Sequence, residues 1–383
     1  MYIMNSSIQE RGRKLTVLCT WIISSIVFCL LTRIARENEN LNNLAISDHS
    51  NSTLTYNILC SSTAFLRSWG SYRARCIQFK SWLDTTRCAP SVNIVLGELP
   101  PESNSSIQYN ATMYVKWVPP VQANLGRTFV DVVDQFMISG RSIPMDFEVI
   151  VQGMIHGTER FPNHKSHAIE HWYSSYPLDM NNIDPEYVPE IVEKDILQVG
   201  TVCAGCPMPT NGNLSSVNMV MIDEAKEGGI EQWFVKYLSG DGWTEEKMSK
   251  MIEDPRYGKE RLYTAVFQMF DVLIITPKKD RNKLRYGSIQ RITSQMRSGT
   301  PVLVRAEGLA FISFVEYHNY SCVYSDNTYS GYQTLEQALV LMKDVNYRKK
   351  CQNEGLKISL DFSPNVIGKE LLRVLGYNES FNC

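Results

Sequence analysis

The chain lacks a second membrane-length apolar run, a charge bias and any Asp-x-Asp pair. Lys and Arg number 38 against 40 Asp and Glu, interspersed along 383 residues. That balance excludes a global field of the kind that gathers nucleic acid or an anionic membrane, so any anion site is local. Without Asp-x-Asp there are no evident carboxylates to hold a metal-bound diphosphate, and the expectation is metal independence with no resident cofactor.

What is present begins with Leu15–Thr32, a charge-free apolar run that just spans a thin hydrocarbon core at about 1.5 Å rise per residue. Arg11, Arg13 and Lys14 precede it, whereas Arg33 and Arg36 beyond it are offset by Glu37 and Glu39, which puts the N-terminus in the cytosol. The alternative is a cleaved signal peptide, but no small-x-small cleavage pattern follows Leu30. The expectation is a single-pass type II membrane protein of the endoplasmic reticulum or Golgi, its bulk lumenal. Past the anchor lie sequons at Asn51, Asn104, Asn110, Asn213, Asn319 and Asn378, and eight cysteines (Cys60, Cys76, Cys88, Cys203, Cys206, Cys322, Cys351, Cys383). Both suit an oxidising compartment, although sequence leaves the disulfide pairing open.

Residues 33–56 are rich in Asn, Ser and Thr and read as a solvated stem. From Asn57 to Arg87 apolar residues fall at Phe65, Trp69, Tyr72, Cys76, Phe79 and Leu83, a four-three spacing that predicts a helix docked on the body or, alternatively, a dimerising coiled coil. Beyond it SVNIVLGEL, MYVKWVP, FEVIVQGM, ILQVGTV and NMVMID read as strands. The second half alternates helix and strand: RLYTAVFQMF, DVLIITP, GSIQRITSQMRSG, PVLVRAEG. Thr334 with Gln337 forms a capping box, and Ser363-Pro364 opens a last helix. This order implies parallel βαβ units. The expected organisation is a cytosolic tail (1–14), a transmembrane helix (15–32), a stem with amphipathic helix (33–88), an N-terminal lobe (89–235) and a C-terminal lobe (236–383).

The densest constellation is KKDRNKLRYGSIQRITSQMRSG, Lys278–Gly299. A loop leaving the carboxyl end of a parallel strand is where ligands bind, and a helix start there offers free N–H groups to an anion. Here DVLIITP feeds Lys278, Lys279, Arg281, Lys283 and Arg285 into a helix opening at Gly287 and Ser288. The alternative is a solvated basic loop.

On Tyr286-Gly287-Ser288, the SGTPVLVRAEG run of Ser298–Gly308 and the strand and helix order of Leu273–Tyr377, the sequence resembles the donor-binding lobe of GT-B class glycosyltransferases. The resemblance implies an α/β fold of two tandem Rossmann-like lobes behind the transmembrane helix and stem. It also implies transfer of a sugar from a nucleotide-sugar donor to a glycan or glycoprotein acceptor. Lys283, Arg285, Gly287 and Ser288 would hold the diphosphate, Arg291 and Arg305 would offset its charge, and Glu307 would take the ribose. Many retaining members place a pair of glutamates ahead of Gly-x-Pro; counting back from Gly299, this chain has Tyr286 and Ser294 there. That departure supports the rival reading of a non-catalytic glycan-binding or scaffold protein.

For the acceptor hydroxyl a base is needed. His156, after FEVIVQGM, is the first candidate and Glu159 the second, Glu170 being weaker. A further motif, His167-Ala168-Ile169-Glu170-His171, matches H-x-x-E-H, in which two histidines on one helical face bind zinc, with Glu246 as a third ligand; it would make the chain a zinc metallopeptidase. Cys203-Ala204-Gly205-Cys206 is followed by Pro207-Met208-Pro209 and reads as disulfide cysteine, not as a redox helix start.

Overall fold

The computed structural model describes residues 55–62, 72–86, 91–97, 108–118, 126–132, 143–152, 158–171, 188–202, 214–222, 244–253, 260–277, 289–327 and 330–377. Two parallel sheets carry it. The first is built from β1 (Tyr56–Ser61), β2 (Val92–Gly97), β3 (Ala111–Val115), β4 (Arg127–Val132), β5 (Glu148–Val151) and β6 (Ser166–Ala168), in the order β2-β1-β3-β4-β5-β6. The second takes β7 (Leu197–Val202), β8 (Val217–Ile222), β9 (Val272–Ile275), β10 (Val302–Arg305) and β11 (Val323–Tyr324), in the order β8-β7-β9-β10-β11. All their pairings are parallel. Strands such as β3 and β9 are buried along their whole length, which is why they read as continuous apolar runs and not as alternation.

The helices are α1 (Gln78–Thr86), entered through a π-helical turn at Arg73–Ile77, α2 (Glu245–Glu253), α3 (Glu260–Phe267), α4 (Gln290–Arg297), α5 (Leu309–Tyr317), α6 (Leu335–Leu341), α7 (Val345–Leu360) and α8 (Pro364–Val374). Their starts follow the capping chemistry read from sequence. The Thr334 hydroxyl accepts the Gln337 N–H at 3.3 Å while Gln337 accepts the Thr334 N–H at 2.9 Å. Ser363 accepts from the Val366 N–H ahead of Pro364.

Two boundaries move. The four-three spacing runs a helix over Asn57–Arg87, but Tyr56–Ser61 is β1, paired with both β2 and β3, so it belongs to the body and not to a stem. Among the described residues helix begins at Tyr72, and its apolar face is buried inside the chain: Tyr72, Cys76, Phe79 and Leu83 are all at most 6% exposed. That face is the docked one, not a free dimer seam; Phe65 and Trp69 lie outside the described residues. Second, ILQVGTV and NMVMID are β7 and β8 of the second sheet, so the sheets divide between Ala168 and Leu197, not at residue 235.

The chain also returns. After α7, helix α8 packs on α1: Trp82 donates its indole N–H to Asn365 at 2.9 Å, and a Cβ on Gly368 would stand 2.7 Å from the indole ring. Further on, Tyr56 donates to the Leu375 carbonyl, its ring meets Tyr377 edge-on, and the Tyr377 hydroxyl bonds Ser91. Two disulfides tie local elements: Cys60–Cys76 joins β1 to the π-helical turn, and Cys322–Cys351 joins the start of β11 to α7. Cys88, Cys203, Cys206 and Cys383 lie outside the described residues, as does Leu15–Thr32; among the described residues no helix is long and apolar enough to cross a membrane. Of the sequons, Asn110 and Asn319 are described and both are exposed.

Candidate functional site

In each sheet the chain reverses direction of progress at one place, between β1 and β3 and between β7 and β9. Ligands of doubly wound sheets bind beside the carboxyl ends of the strands at such switch points. β9 ends there at Ile275, and α4 is the next described element. Lys283, Arg285, Gly287 and Ser288 themselves lie outside the described residues, as does His156. Two helix starts are described at this edge. Neither Ile289 before α4 nor Gly308 before α5 caps its helix through its own side chain. Gly308 adopts φ 80° and ψ 149°, a conformation close to glycine-only, so the residue type is dictated by the backbone.

A second signal comes from hydrogen bonds that are not made. Buried polar groups are normally satisfied, and exceptions call for a reason. Five buried atoms without a partner among the described residues sit at or just beyond strand carboxyl ends: Ser61 Oγ of β1, Thr201 Oγ1 of β7, Arg305 Nε of β10, the Tyr324 hydroxyl of β11, and His171 Nε2 after β6. They mark a polar rim over both sheets. Burial pushes the Tyr324 phenol far up despite Arg305 beside it, so it stays a donor.

His171 joins the two sheets' rims. It follows β6 by three residues, is 3% exposed, and its Nδ1 lies 3.3 Å from Oε1 of Gln290, the first residue of α4. An amide oxygen only accepts, so Nδ1 carries the proton and Nε2 keeps its lone pair. Burial first, then the charges of Arg75 and Lys116, press the imidazole well below its ordinary value against the Gln290 hydrogen bond. A neutral ring with a bare Nε2 can accept a proton-bearing hydroxyl. Beneath it Arg75, 2% exposed, donates from Nη1 to the Glu170 carbonyl at 3.0 Å and from Nη2 to the Ile169 carbonyl, while its Nε forms an ion pair with the Asp131 carboxylate of β4.

Arg305 and Glu307 are brought together. Arg305 Nη2 lies 2.9 Å from Glu307 Oε2 and 2.8 Å from Asp326 Oδ2 past β11. Two carboxylates thus already neutralise the guanidinium, and a phosphate would have to compete with them. Arg291 is half-buried on α4. Glu159 is exposed in a single tight turn, Thr158–Arg160, on the return from β5 to β6. His171 was legible only as half of a metal motif, because its partner Gln290 is 119 residues away.

The zinc reading is corrected by backbone geometry. H-x-x-E-H needs a helix to bring residues four apart onto one face, but His167 lies in β6 and His171 in the extended segment after it. The two rings go different ways: His167 Nε2 bonds Glu148 Oε2 at 2.7 Å, whereas His171 faces Gln290. Glu246 on α2 pairs with Lys250. Among the described residues no group of His, Cys, Asp and Glu is placed to hold a metal ion.

Glu148 is instead an electrostatic clasp. Burial would raise its carboxyl, but hydrogen bonds from His167, Arg127 and Lys165 outweigh it and hold it at about 2. The folded value lies below the unfolded one, so this contribution is complete above about pH 4.5 and lost as pH falls toward about 2. Glu148→Gln should therefore cost about 1–2 kcal/mol at pH 6, roughly half of that or less at pH 3 and little at pH 2, read from urea unfolding. Parallel acid loss in both proteins would refute this.

No protein-family model matches the chain, and no curated protein matches it. Solved structures similar to it include glycosyltransferases. A glycosyltransferase from Rickettsia africae matches at 12% identity and TM-score 0.48, over 84% of this chain and 98% of that one. WaaG, a glycosyltransferase involved in lipopolysaccharide biosynthesis, matches at 9% identity and TM-score 0.42, over 84% and 99%. HepE of Anabaena, in complex with UDP and glucose, matches at 12% identity and TM-score 0.45, again over 84% and 99%. Likeness at this level leaves the chemistry to the chain's own residues.

Proposed function

We propose that the protein is a glycosyltransferase taking a nucleotide-sugar donor and a glycan or glycoprotein acceptor, anchored through Leu15–Thr32 with its bulk in the secretory lumen. The observation that carries this reading is the rim of buried, unpartnered polar atoms at the carboxyl ends of both sheets, which meet where His171 touches the start of α4. A donor diphosphate would lie against the starts of α4 and α5, with Lys283 and Arg285 of the basic loop and Gly287 and Ser288 around it. Glu307, held by Arg305, would take the ribose. His171 Nε2 would accept a sugar hydroxyl, leaving His156, after β5, as base for the acceptor. Neutralising the leaving diphosphate would supply most of the rate enhancement.

Titration calorimetry of the full-length chain in detergent with UDP, GDP, ADP and CMP tests this. One nucleotide should bind, and Lys283→Glu with Arg285→Glu should weaken it at least about tenfold, roughly 1.4 kcal/mol. Failure of all four to bind would sink the transferase reading.

A non-catalytic glycan-binding role has one specific support: Ser294, where a glutamate would stand in retaining relatives, is 6% exposed within α4. Nucleotide binding without turnover of any sugar nucleotide would favour it.

A further inference from the structure

We propose that Arg75 is the positioning residue for His171, holding the Ile169 and Glu170 carbonyls so that the imidazole keeps its proton on Nδ1 toward Gln290 and presents a bare Nε2 to the rim. The inference rests on His171 being a site residue, as the proposed function has it. The last sheet bond of this strand is the Ile169 N–H to the Val151 carbonyl at 3.0 Å, so His171 lies just past the ladder. The planar fork of Arg75 reaches both carbonyls before His171, and its Nε lies against the carboxylate of Asp131, which is fully buried. A fork of this geometry sets a peptide plane, which a single-point ammonium cannot.

Arg75 is itself held from two directions. It sits in a five-residue π-helical turn, a form that is rare and often found at functional sites. The next residue, Cys76, is bonded to Cys60 of β1. A buried Arg–Asp pair gains little stability over an apolar pair of like volume, so the arrangement calls for another reason, and the peptide preceding His171 supplies one. The charged and polar groups facing the imidazole are Arg75 from the turn before α1, Lys116 from the end of β3, and Gln290 from α4, with Glu170 as its chain neighbour. Both cations disfavour imidazolium, and Gln290 selects the tautomer.

The test is nitrogen-15 NMR of the full-length protein labelled at its six histidines, with His171 assigned by loss of its signals in His171→Gln. In the wild type His171 should be the neutral Nδ1–H tautomer at neutral pH and take up a proton only well below the ordinary imidazole range. In Arg75→Gln its midpoint should rise by about one pH unit, with the two tautomers mixed. Arg75→Lys keeps the charge but loses the fork; it should mix the tautomers while moving the midpoint less. A wild-type His171 that titrates normally or carries its proton on Nε2 overturns the proposal, as does a folded Arg75→Lys protein with unaltered tautomer. If neither variant folds, the wild-type tautomer decides alone. No donor or acceptor is needed, so a negative result here stands apart from failure to bind nucleotides.

Discussion

Asp131→Ala should destabilise the protein by about 3–5 kcal/mol, because it strands the Arg75 guanidinium in a site that is 2% exposed. Asp131→Asn should recover only part of this, since an amide fills the space without supplying the countercharge. The informative comparison is Arg75→Met with Asp131→Leu. Removing both charges relieves the burial of an unpaired ion, so the double variant should be more stable than Asp131→Ala alone. Urea midpoints and slopes give all three numbers. A double variant as unstable as the single would mean that the carboxylate acts through something other than Arg75.

Trp82→Ala is expected to cost a similar 3–5 kcal/mol. The indole is 2% exposed, stacks on Phe79 at 5.9 Å between ring centres and donates to Asn365 on α8. Gly368 is the other half of the joint, because any side chain there would overlap the ring. Trp82→Phe keeps much of the packing and should lose only about 1–2 kcal/mol. Unfolding followed by two probes, one per sheet, distinguishes the outcomes. Loss of the joint should split a single transition into two; one shared transition in Trp82→Ala would show that α8 does not couple the sheets.

The second half of the fold was largely legible because its signals are local. DVLIITP and PVLVRAEG are short apolar runs bounded by Pro and Gly and became β9 and β10, and the caps at Thr334 and Ser363 are made between residues three apart. The first half was harder for a physical reason. TYNILC is a strand with neighbours on both sides, so it shows no period of two, and the helical spacing beyond it ran over its boundary. RTFVDV and HKSHAIE passed unread as β4 and β6, the second because its histidines fit a helical motif. At the site, β9 and α4, which bracket the basic segment, could be placed from sequence. His171 could not, for its meaning depends on Gln290, Arg75 and Asp131, which only folding brings together. Arg305 was read as a cation to offset phosphate charge; its pairing with Asp326 past β11 was not legible, because that contact depends on the fold.

The return of α8 onto α1 also bears on how the protein is made. Trp82 and its partner Asn365 are 283 residues apart. At about 5–20 residues per second the ribosome delivers the second roughly 15–60 s after the first. During that interval the apolar side of α1 and the ring of Tyr56 have no cover from residues 364–377, although β1 to β6 are complete well before it ends. Nascent chains halted before residue 364 should therefore recruit chaperones or aggregate, and chains released after residue 377 should not.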